Sequence, residues 1–456
     1  MHPLIKRCGR RAVSMVPRSW RRSKVYDGWQ RFLLQSREWP EERIHAWQLE
    51  KLRCIVRYAT GQTEGYRELY RKAGVRADDL QRLDDIRFLP LTNKQMFQGN
   101  LEAFSVKGPR RKYITTGGSS GIPLGFYNFP DLRQTENAFV QHAWAEFGWR
   151  PHIRTAVLRG GFIGTREKPW MYDPYRRELH LSTYFLSQQT LATYIRKVRD
   201  YGITILQAFP SSLNVLADLL RESQIGNAFA LEAIFLASEN SYAWLLQKAS
   251  ETFPGVRIFD CYGQSERVIF GVWCPDSREY HVNPFYGVTE LVDGSHSVAE
   301  GSSGMLVGTS FHNRATPFIR YETQDTATRG SNYCVHCGRN WLMLASLDGR
   351  CHESIITSTG RYISMSMMNM HDRIFDGITQ FQFQQFEKGK LTFRYIPRTQ
   401  LSAAEEHQVQ QGLLTKLGSD VELTLEAVEQ IKRTQAGKFR WLDQRLEVPY
   451  GDAVER

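Results

Sequence analysis

The sequence predicts an α/β fold: a large N-terminal domain of mostly parallel sheets flanked by helices, with a β-rich subdomain, and then a small α+β domain. From about residue 113, strand-like runs such as TAVLRGG and ITILQAF alternate with helical runs such as LATYIRKVRDYG. Such alternation is typical of a largely parallel sheet covered by helices. After about residue 280 the runs become short, glycine-rich and strand-like, as in GMLVGTSF. The last section joins the strand-like QFQFQQFEKGKLTFRYI to a helical run near 402–417, which indicates a separate α+β domain.

The change of pattern places a domain boundary near LDGRC, residues 347–351, which is the expected hinge. We therefore expect a large domain over residues 1–350 and a small domain over residues 351–456. Neither internal repeats nor low-complexity tracts interrupt this division. Both domains are long enough to bury a core of their own.

A helical leader over residues 26–110 is expected to open the large domain. The run WQLEKLRCIVRYA spaces its apolar residues so that they share one helix face. Gly74 predicts a helix stop, because glycine takes up the left-handed conformation at helix ends. The run LPLTNKQMF predicts a new helix start near Thr92 or Asn93.

The composition is that of an ordinary globular protein. Hydrophobic residues make up 41% and charged residues 23% of the 456 residues, which excludes a disordered chain. The most apolar run, Ala228–Ser238, contains Glu232 and is shorter than the ~20 residues of a membrane span, so no transmembrane helix is expected. No secretory signal is evident, and the seven cysteines are scattered or clustered rather than spaced as a disulfide framework. We therefore expect a cytoplasmic protein.

Positive charge is concentrated near the N-terminus. The net charge is +11, and eight basic residues precede the first acid, Asp27. Such a segment could contact anionic lipid, nucleic acid or a phosphate-rich cofactor, or could be a solvated basic leader. No basic stripe interleaved with aromatic residues follows it. We expect peripheral membrane contact at most and no specific nucleic-acid partner.

The strongest local motif is YITTGGSSGIPLGFY, residues 113–127. Its glycines allow close approach of the backbone to phosphate, and its turn N–H groups and hydroxyls can bind an anion. It is not a loop of the G-x-x-x-x-G-K-[ST] type, and taken alone it could be a flexible linker. The candidate phosphate-binding residues are Thr115, Thr116, Gly117, Gly118, Ser119, Ser120 and Gly121.

A second motif, FDCYGQSERV, contains the residues Tyr262, Gly263, Ser265 and Glu266 after an apolar strand. An acidic residue just past the carboxyl end of a parallel strand is well placed to bind Mg²⁺, which prefers carboxylate oxygens. The alternative is a strand-to-helix turn in which Glu266 is a first-turn helix acid.

Two further segments carry single candidate residues. Asp325 in TPFIRYETQDTA follows a β-rich run, and its carboxylate can accept both hydroxyls of a ribose, although it could be an ordinary loop aspartate. Lys438 in QIKRTQAGKFRWL follows a glycine turn, which can present a lysine to phosphate, although the segment could be a basic surface loop.

Cysteine and histidine form two half-sites for a metal. Six residues separate Cys274 from His281, and Cys334 and Cys337 form a C-x-x-C pair. Together they would complete a Cys₃His tetrahedral zinc site, structural because protein fills all four positions. His336 could replace His281, and free buried thiols are the alternative.

Taken in order, these motifs resemble the adenylate-forming superfamily. A Thr/Ser/Gly loop, then Tyr-Gly-x-Ser-Glu, Arg-Tyr-x-x-x-Asp, Gly-Arg and a C-terminal Gly-Lys follow one another as in that superfamily. The leader followed by LPLTNKQMF is typical of its phenylacetate-CoA ligase and CapK branch. The resemblance extends over about residues 45–445. Some members of the branch carry zinc at the positions of the cysteine and histidine half-sites.

The resemblance implies a role for each motif. The loop from Thr115 to Gly121 would hold the ATP phosphates, and Ser238 and Glu239 would line the adenine. Tyr262 would stack near the adenine, with Gly263 and Ser265 in the same motif, and Glu266 would bind Mg²⁺. Asp325 would bind the ribose hydroxyls, with help from Arg350. Lys438 would contact the acyl carboxylate and the α-phosphate during adenylation.

The activity implied is that of an ATP-dependent ligase. It would activate a carboxylic acid as acyl-AMP, release pyrophosphate and pass the acyl group to an acceptor, by default coenzyme A. The CapK resemblance leaves open transfer to an amine or a sugar, and a degenerate nucleotide-binding member without turnover is a further alternative. The small domain would be mobile, rotating about a hinge just after Arg350 between the half-reactions. We expect a monomer or a homodimer.

Two positions depart from the family pattern. Ile122 stands where many relatives carry lysine, which predicts weaker binding of phosphate. His352 stands in the hinge where relatives usually have aspartate, and histidine titrates near neutral pH.

Overall fold

A computed structural model gives the fold of the chain. It describes residues 23–116, 124–159, 165, 167–183, 185–223, 228–274, 276–294, 296–350, 354–360, 362–364, 373–375, 377–432 and 439–446. The α-helices are α1 (Lys24–Ser36), α2 (Glu41–Gln62), α3 (Glu64–Ala73), α4 (Lys94–Gly99), α5 (Leu132–Glu146), α6 (Gln188–Asp200), α7 (Pro210–Glu222), α8 (Ala243–Thr252) and α9 (Ala403–Leu417). Short 3₁₀ helices lie at Ala77–Asp79, Leu83–Phe88 and Arg373–Phe375.

The strands follow in chain order. The first eleven are β1 (Lys112–Thr115), β2 (Gly125–Asn128), β3 (Thr155–Leu158), β4 (Trp170–Asp173), β5 (Glu178–Leu181), β6 (Ile205–Ala208), β7 (Ala233–Leu236), β8 (Arg257–Phe259), β9 (Cys261–Gly263), β10 (Phe270–Trp273) and β11 (Tyr280–Val282). The others are β12 (Gly287–Asp293), β13 (His296–Ser297), β14 (Ser303–Ser310), β15 (Tyr321–Arg329), β16 (Met343–Arg350), β17 (Ser354–Ile356), β18 (Tyr362–Ser364), β19 (Ile378–Glu387), β20 (Lys390–Pro397), β21 (Glu422–Ala427) and β22 (Leu442–Gln444).

The chain packs into two compact units. One contains Gly148–Asp260 and Asp348–Arg456, and the other contains Val16–Phe147 and Cys261–Leu347. The predicted boundary between residues 350 and 351 stays a prediction, because Cys351 lies outside the described residues.

The first unit contains a six-stranded sheet of order β4-β5-β3-β6-β7-β8. Strands β5, β3, β6, β7 and β8 run parallel, and only the edge strand β4 is antiparallel. Every residue of β3, β6 and β7 is buried, because helices connect successive parallel strands and cover the sheet. The predicted alternation of strands and helices is therefore confirmed, and the carboxyl ends of these strands meet along one edge.

One predicted strand is in fact two. The run VRIFDCYG forms β8, at the edge of the parallel sheet, and β9, at the edge of a different sheet, with Asp260 between them. Because β9 pairs antiparallel with β10, Glu266 follows an antiparallel strand, and the expectation that it follows a parallel strand is wrong.

The second unit contains an eight-stranded sheet of order β13-β12-β14-β15-β16-β11-β10-β9. Its pairs β12–β14, β14–β15 and β10–β11 are antiparallel, which confirms the β-rich section predicted after residue 280. The leader helices pack in the same unit. Gln48 of α2 donates through Nε2 to the carbonyls of Pro284 and Gly287, each at 3.0 Å.

Helix ends in the leader follow the predicted signals. Gly74 ends α3 with a φ of 68°, in the left-handed region. The α4 helix begins after Asn93, whose side chain accepts a 3.0 Å hydrogen bond from the backbone N–H of Met96.

A buried arginine joins the leader to the eight-stranded sheet. Arg320 is only 4% exposed and forms a two-pronged ion pair with Glu290 of β12, at 3.0 Å from Nε and 2.8 Å from an Nη. Its other Nη donates to the carbonyls of Arg87 and Leu89. Burial raises the pKa of the Glu290 carboxyl, and the Arg320 guanidinium opposes that rise. The pair therefore fixes the end of the leader against the strand that carries the Arg-Tyr motif.

The C-terminal region of the first unit has its own sheet, of order β21-β20-β19-β22, with β19 and β20 antiparallel and the outer strands parallel to their neighbours. Helix α9 begins after Ser402, whose hydroxyl caps it at Glu405, as the helical run near 402–417 predicts. Its buried residues Val409, Leu413 and Leu417 belong to the core of that sheet. The small α+β domain is thus confirmed.

Among the described residues, no helix is both long and apolar enough to cross a bilayer.

A buried histidine makes stability depend on pH. The His312 ring lies among Trp29, Phe139 and Tyr286 at centroid distances of 4.9, 5.2 and 5.4 Å, and its Nε2 lies 3.0 Å from the Phe285 carbonyl. Burial lowers the pKa of His312 to about 4.

Because the unfolded chain takes up this proton near pH 6.5, the neutral ring stabilises the fold above that pH, and the contribution is lost as the pH falls toward 4. We expect the wild type to lose about 2 kcal/mol between pH 7 and pH 5 from this group alone. His312→Gln, which has no titrating ring, should lose correspondingly less over the same range in urea unfolding. Equal losses in both proteins would contradict the assignment.

Candidate active site

The second unit carries most of the predicted nucleotide-binding motifs. The β1–β2 hairpin closes the Thr/Ser/Gly loop at its base, where the Thr116 N–H donates to the Leu124 carbonyl and the Leu124 N–H donates to Thr116 Oγ1, both at 2.9 Å. Thr115 lies on β1 opposite Gly125. The Tyr127 N–H donates to Thr316 Oγ1 at 3.0 Å, so the hairpin is tied to the strand region of the Arg-Tyr motif. The predicted residues Gly117, Gly118, Ser119, Ser120 and Gly121, together with Ile122, lie outside the described residues.

Two motifs that are 63 residues apart meet at Tyr262 and Asp325. The Tyr262 hydroxyl donates to Asp325 Oδ2 at 2.7 Å, and Gln264 Nε2 donates to the same hydroxyl. Burial and the neighbouring carboxylate raise the pKa of Tyr262 well above its ordinary value, so it remains a donor. Asp325 is only 8% exposed. A fixed carboxylate beside an aromatic ring suits a nucleoside, whose base can stack and whose ribose hydroxyls can donate.

Glu266 lies in the turn between β9 and β10 and is half-buried. Its Oε1 accepts a hydrogen bond from the Tyr321 hydroxyl at 3.3 Å. No helix follows Glu266, so the alternative of a first-turn helix acid is wrong. Gly263 and Ser265 of the same turn are exposed. A carboxylate presented in this way can bind Mg²⁺ through its oxygens.

An ion pair that the sequence reasoning missed supports this turn. Arg267 has a φ of 58°, in the left-handed region that a non-glycine residue rarely occupies. Its Nε lies 3.3 Å from an oxygen of Glu136 on α5, which also accepts from the Tyr286 hydroxyl. Only the tertiary structure brings Glu136 to this turn, so no local pattern could have shown the pair.

The first unit carries Ser238 and Glu239 just past the carboxyl end of β7. Ser238 has a left-handed φ of 73°, and the turn directs the Glu239 carboxylate to the N-terminus of α7. There it accepts hydrogen bonds from the Ser211 N–H at 2.9 Å and from Ser211 Oγ at 3.1 Å. It also accepts a 3.0 Å hydrogen bond from the N–H of Phe439. The role of Ser238 and Glu239 at the adenine stays a prediction.

Two predicted residues cannot be placed as side chains. Lys438 lies outside the described residues. Arg350 ends β16, but its side chain lies outside the described part of the chain, as does His352 of the predicted hinge.

The four predicted zinc ligands meet in one buried cluster. The ligand atoms of Cys274, His281, Cys334 and Cys337 all lie within 4.8 Å of one another. His281 lies on β11, next to the strand that Cys274 follows, while Cys334 and Cys337 lie in the connection between β15 and β16. His336 is exposed and is not part of the cluster, so it does not replace His281.

Two of the distances between ligand atoms in the cluster match edges of a zinc tetrahedron. Bonds of about 2.3 Å to sulfur and about 2.05 Å to nitrogen place two sulfurs about 3.8 Å apart and a sulfur and a nitrogen about 3.6 Å apart. The two observed separations are 3.8 Å between the Cys274 and Cys334 sulfurs and 3.5 Å between Cys337 Sγ and His281 Nε2. The residue types and these two separations are compatible with a tetrahedral zinc ion.

Burial dominates the protonation of the cluster. Burial lowers the pKa of His281 to about 3, so the imidazole is neutral at physiological pH. Burial alone would raise the pKa of Cys334, but backbone N–H groups of Cys337 and His336 bring it below its ordinary value. Burial, with a smaller contribution from Cys334, raises the pKa of Cys337. Binding of a divalent cation would therefore have to displace the proton of the Cys337 thiol.

The chain is similar to known proteins in both sequence and fold. Residues 355–444 match the family model of the CapK C-terminal domain. The phenylacetate-coenzyme A ligase of Thermus thermophilus is 25% identical over 329 residues, which are 70% of this chain and 72% of that protein. The phenylacetate-coenzyme A ligase of Escherichia coli is 26% identical over 304 residues, which are 62% of this chain and 67% of that protein. The crystal structure of a 2-hydroxyisobutyryl-CoA ligase in its postadenylation state has the same fold, with a TM-score of 0.72 at 18% identity, covering 90% of this chain and 92% of that one.

The chain has the fold of that ligase, with a large N-terminal and a small C-terminal domain. The similarity to the phenylacetate-coenzyme A ligases and the match to the CapK C-terminal domain support the predicted resemblance to the adenylate-forming superfamily and its phenylacetate-CoA ligase and CapK-like branch.

The contact between Tyr262 and Asp325 should contribute to stability. Tyr262→Phe removes the donor to a buried carboxylate, and we expect the free energy of unfolding to fall by about 1–3 kcal/mol in urea titration. Tyr127→Phe is the matched control, because the Tyr127 hydroxyl donates at 2.6 Å to the exposed Glu102. In that control the free energy of unfolding should fall by no more than about 0.5 kcal/mol. Equal losses of unfolding free energy in the two variants would contradict the claim that the buried hydrogen bond to Asp325 stabilises the fold more than an exposed one.

Proposed function

We propose that the protein is an ATP-dependent ligase that joins a carboxylic acid to AMP, releases pyrophosphate and transfers the acyl group to coenzyme A. The observation that carries the proposal is the pairing of Tyr262 with Asp325 beside the turn of Glu266, in a chain similar to the phenylacetate-coenzyme A ligases. The relatives in Thermus thermophilus and Escherichia coli are phenylacetate-coenzyme A ligases.

The described residues suit the first half-reaction. Attack of a carboxylate on the α-phosphate brings two anions together, so positioning and charge stabilisation matter more than proton transfer. Asp325 would hold the ribose hydroxyls and Tyr262 the base. Glu266 would hold Mg²⁺, which neutralises charge on the phosphates. Lys438 would contact the acyl carboxylate and the α-phosphate, and the loop from Thr115 to Gly121 would bind the other phosphates.

A second candidate differs only in the acceptor. The match of residues 355–444 to the CapK C-terminal domain favours transfer of the adenylated acid to an amine or a sugar. A non-catalytic nucleotide-binding role is less well supported, because the chain retains both Glu266 and Lys438.

The test is pyrophosphate release from ATP and Mg²⁺ with a panel of aryl, fatty and amino acids, each with hydroxylamine as a general acceptor. We expect release with one class of acid, and at least about a 100-fold loss in Lys438→Ala, because loss of a group that stabilises developing charge costs about that much. Lys432→Ala is the matched control, an exposed lysine in the same segment, and should keep wild-type rates. Wild-type rates in Lys438→Ala would contradict the assignment. Where adenylation is established, competition between coenzyme A and amines identifies the acceptor.

We further propose that Cys274, His281, Cys334 and Cys337 bind one structural zinc ion. The tetrahedral spacing of their ligand atoms supports it. Zinc would cross-link the β15–β16 connection to the β10–β11 hairpin and so stabilise the fold.

Metal analysis should find about one zinc per chain in protein purified without chelator. Cys334→Ser should lose that zinc and melt at a lower temperature, because the site loses a thiolate ligand. Cys54→Ser is the matched control, since Cys54 is exposed and outside the cluster, and it should retain the metal. Protein that folds and melts identically without zinc would remove the proposal.

A further inference from the structure

Aromatic rings attach the C-terminal sheet to helix α8 within the first unit. Trp441, just before β22, lies 5.9 Å from Tyr242 and 5.3 Å from Trp244 between ring centroids. Phe381 of β19 lies 5.9 Å from Trp244 and 4.9 Å from Trp441. These rings belong to the buried cluster that also forms the core of the C-terminal sheet. Such apolar contact stabilises the attachment but is not directional, so it does not by itself fix the position of a neighbouring side chain.

Ion pairs add a second attachment between the same parts of the chain. Arg398, just after β20, lies 3.3 Å from Asp218 and also pairs with Glu222, both on α7. Lys248 of α8 lies 2.9 Å from the same aspartate. Asp218 is only 4% exposed, so two cations compensate its buried charge.

Glu239 makes the attachment next to the predicted catalytic lysine. Its Oε1 accepts the backbone N–H of Phe439 at 3.0 Å, and Phe439 is the residue directly after Lys438 in the sequence. The same carboxylate is held from the other side by the N–H and hydroxyl of Ser211 at the N-terminus of α7. Hydrogen bonds to a carboxylate are short and directional, and a helix N-terminus favours its negative charge. Glu239 is therefore a rigid acceptor at the carboxyl end of β7.

We propose that Glu239 is a positioning residue for adenylation, which holds the polypeptide immediately after Lys438 against the parallel sheet. The inference rests on the proposed function, because it gives Lys438 its role in acyl-AMP formation. The hydrogen bond restrains the backbone at Phe439, and Phe439 is joined to Lys438 by a single peptide bond, with about 3.8 Å between adjacent Cα atoms. Loss of this hydrogen bond frees the backbone at Phe439, while the aromatic contacts of Trp441 and the ion pairs of Arg398 persist.

The effect should be confined to one half-reaction. Lys438 is needed where carboxylate and α-phosphate meet, and a small misplacement of such a group costs rate far more than binding. Transfer of the acyl group from preformed acyl-AMP to coenzyme A does not require that lysine. A purely structural role of Glu239 as the cap of α7, or its predicted role at the adenine, would instead impair both half-reactions together, because ATP and acyl-AMP both carry the adenine.

The experiment measures the two half-reactions separately in Glu239→Ala. Pyrophosphate formation from ATP and the active acid should fall about 10- to 100-fold in kcat, with the KM values for ATP and acid changed less than about 3-fold. Thioester formation from synthetic acyl-AMP and coenzyme A should stay within about 2-fold of wild type, because that step does not use the held segment. Glu222→Ala is the matched control: it also removes a carboxylate that contacts the C-terminal region, through Arg398, and should leave both half-reactions within about 2-fold.

Hydrogen exchange supplies a readout that does not depend on turnover. The amide of Phe439 should exchange faster in Glu239→Ala than in wild type, while the amides of β19 keep their protection. Equal losses in both half-reactions with a lowered melting temperature, or unchanged exchange at Phe439, would overturn the inference. If the wild type forms no pyrophosphate with any acid, the proposed function fails, whereas an active wild type with no selective loss in Glu239→Ala removes the positioning role alone.

Discussion

The buried pair of Arg320 and Glu290 is the constraint on which the site in the second unit depends. Arg320 sits in a left-handed conformation, with a φ of 47°, directly before Tyr321. Its ion pair and its hydrogen bonds to the leader fix the start of β15. From that strand, Tyr321 donates to Glu266 and Asp325 accepts from Tyr262. The contacts of this one arginine thus help to fix where the carboxylates of Glu266 and Asp325 lie.

Carboxylates in this fold work as fixed acceptors rather than as proton carriers. Asp325, Glu239 and Glu136 each accept hydrogen bonds from donors on distant segments. Adenylation demands positioned charge more than proton transfer, and such preorganised groups need not reorganise during the reaction. Left-handed backbone lies beside one such carboxylate in each unit: Ser238 precedes Glu239 in the first unit, and Arg267 pairs with Glu136 in the second.

The cysteine and histidine cluster has a different physical role. It is formed by residues after β10, on β11 and in the β15–β16 connection. Strand β10 links it to the β9–β10 turn, and its residues are not among those that would contact nucleotide. A metal there would fix a long connection whose exposed tip, including Val335, contributes little apolar burial of its own. The metal would thus contribute to the order of the sheet that carries the turn of Glu266.

The sequence by itself determined the alternating architecture, the helix near 402–417, a helix start near Thr92 or Asn93 and the three cysteines of the cysteine and histidine cluster. These are local or compositional signals: apolar periodicity follows from how a strand or helix buries one face, and ligand chemistry follows from residue type. Tertiary structure alone decided that VRIFDCYG divides between two sheets, that His281 rather than His336 joins the cluster, and that Glu136 reaches Arg267. Those outcomes depend on contacts between segments far apart in the chain, whose geometry no local pattern encodes. For the same reason, only the folded chain shows that Glu239 meets the N–H of Phe439, 200 residues away.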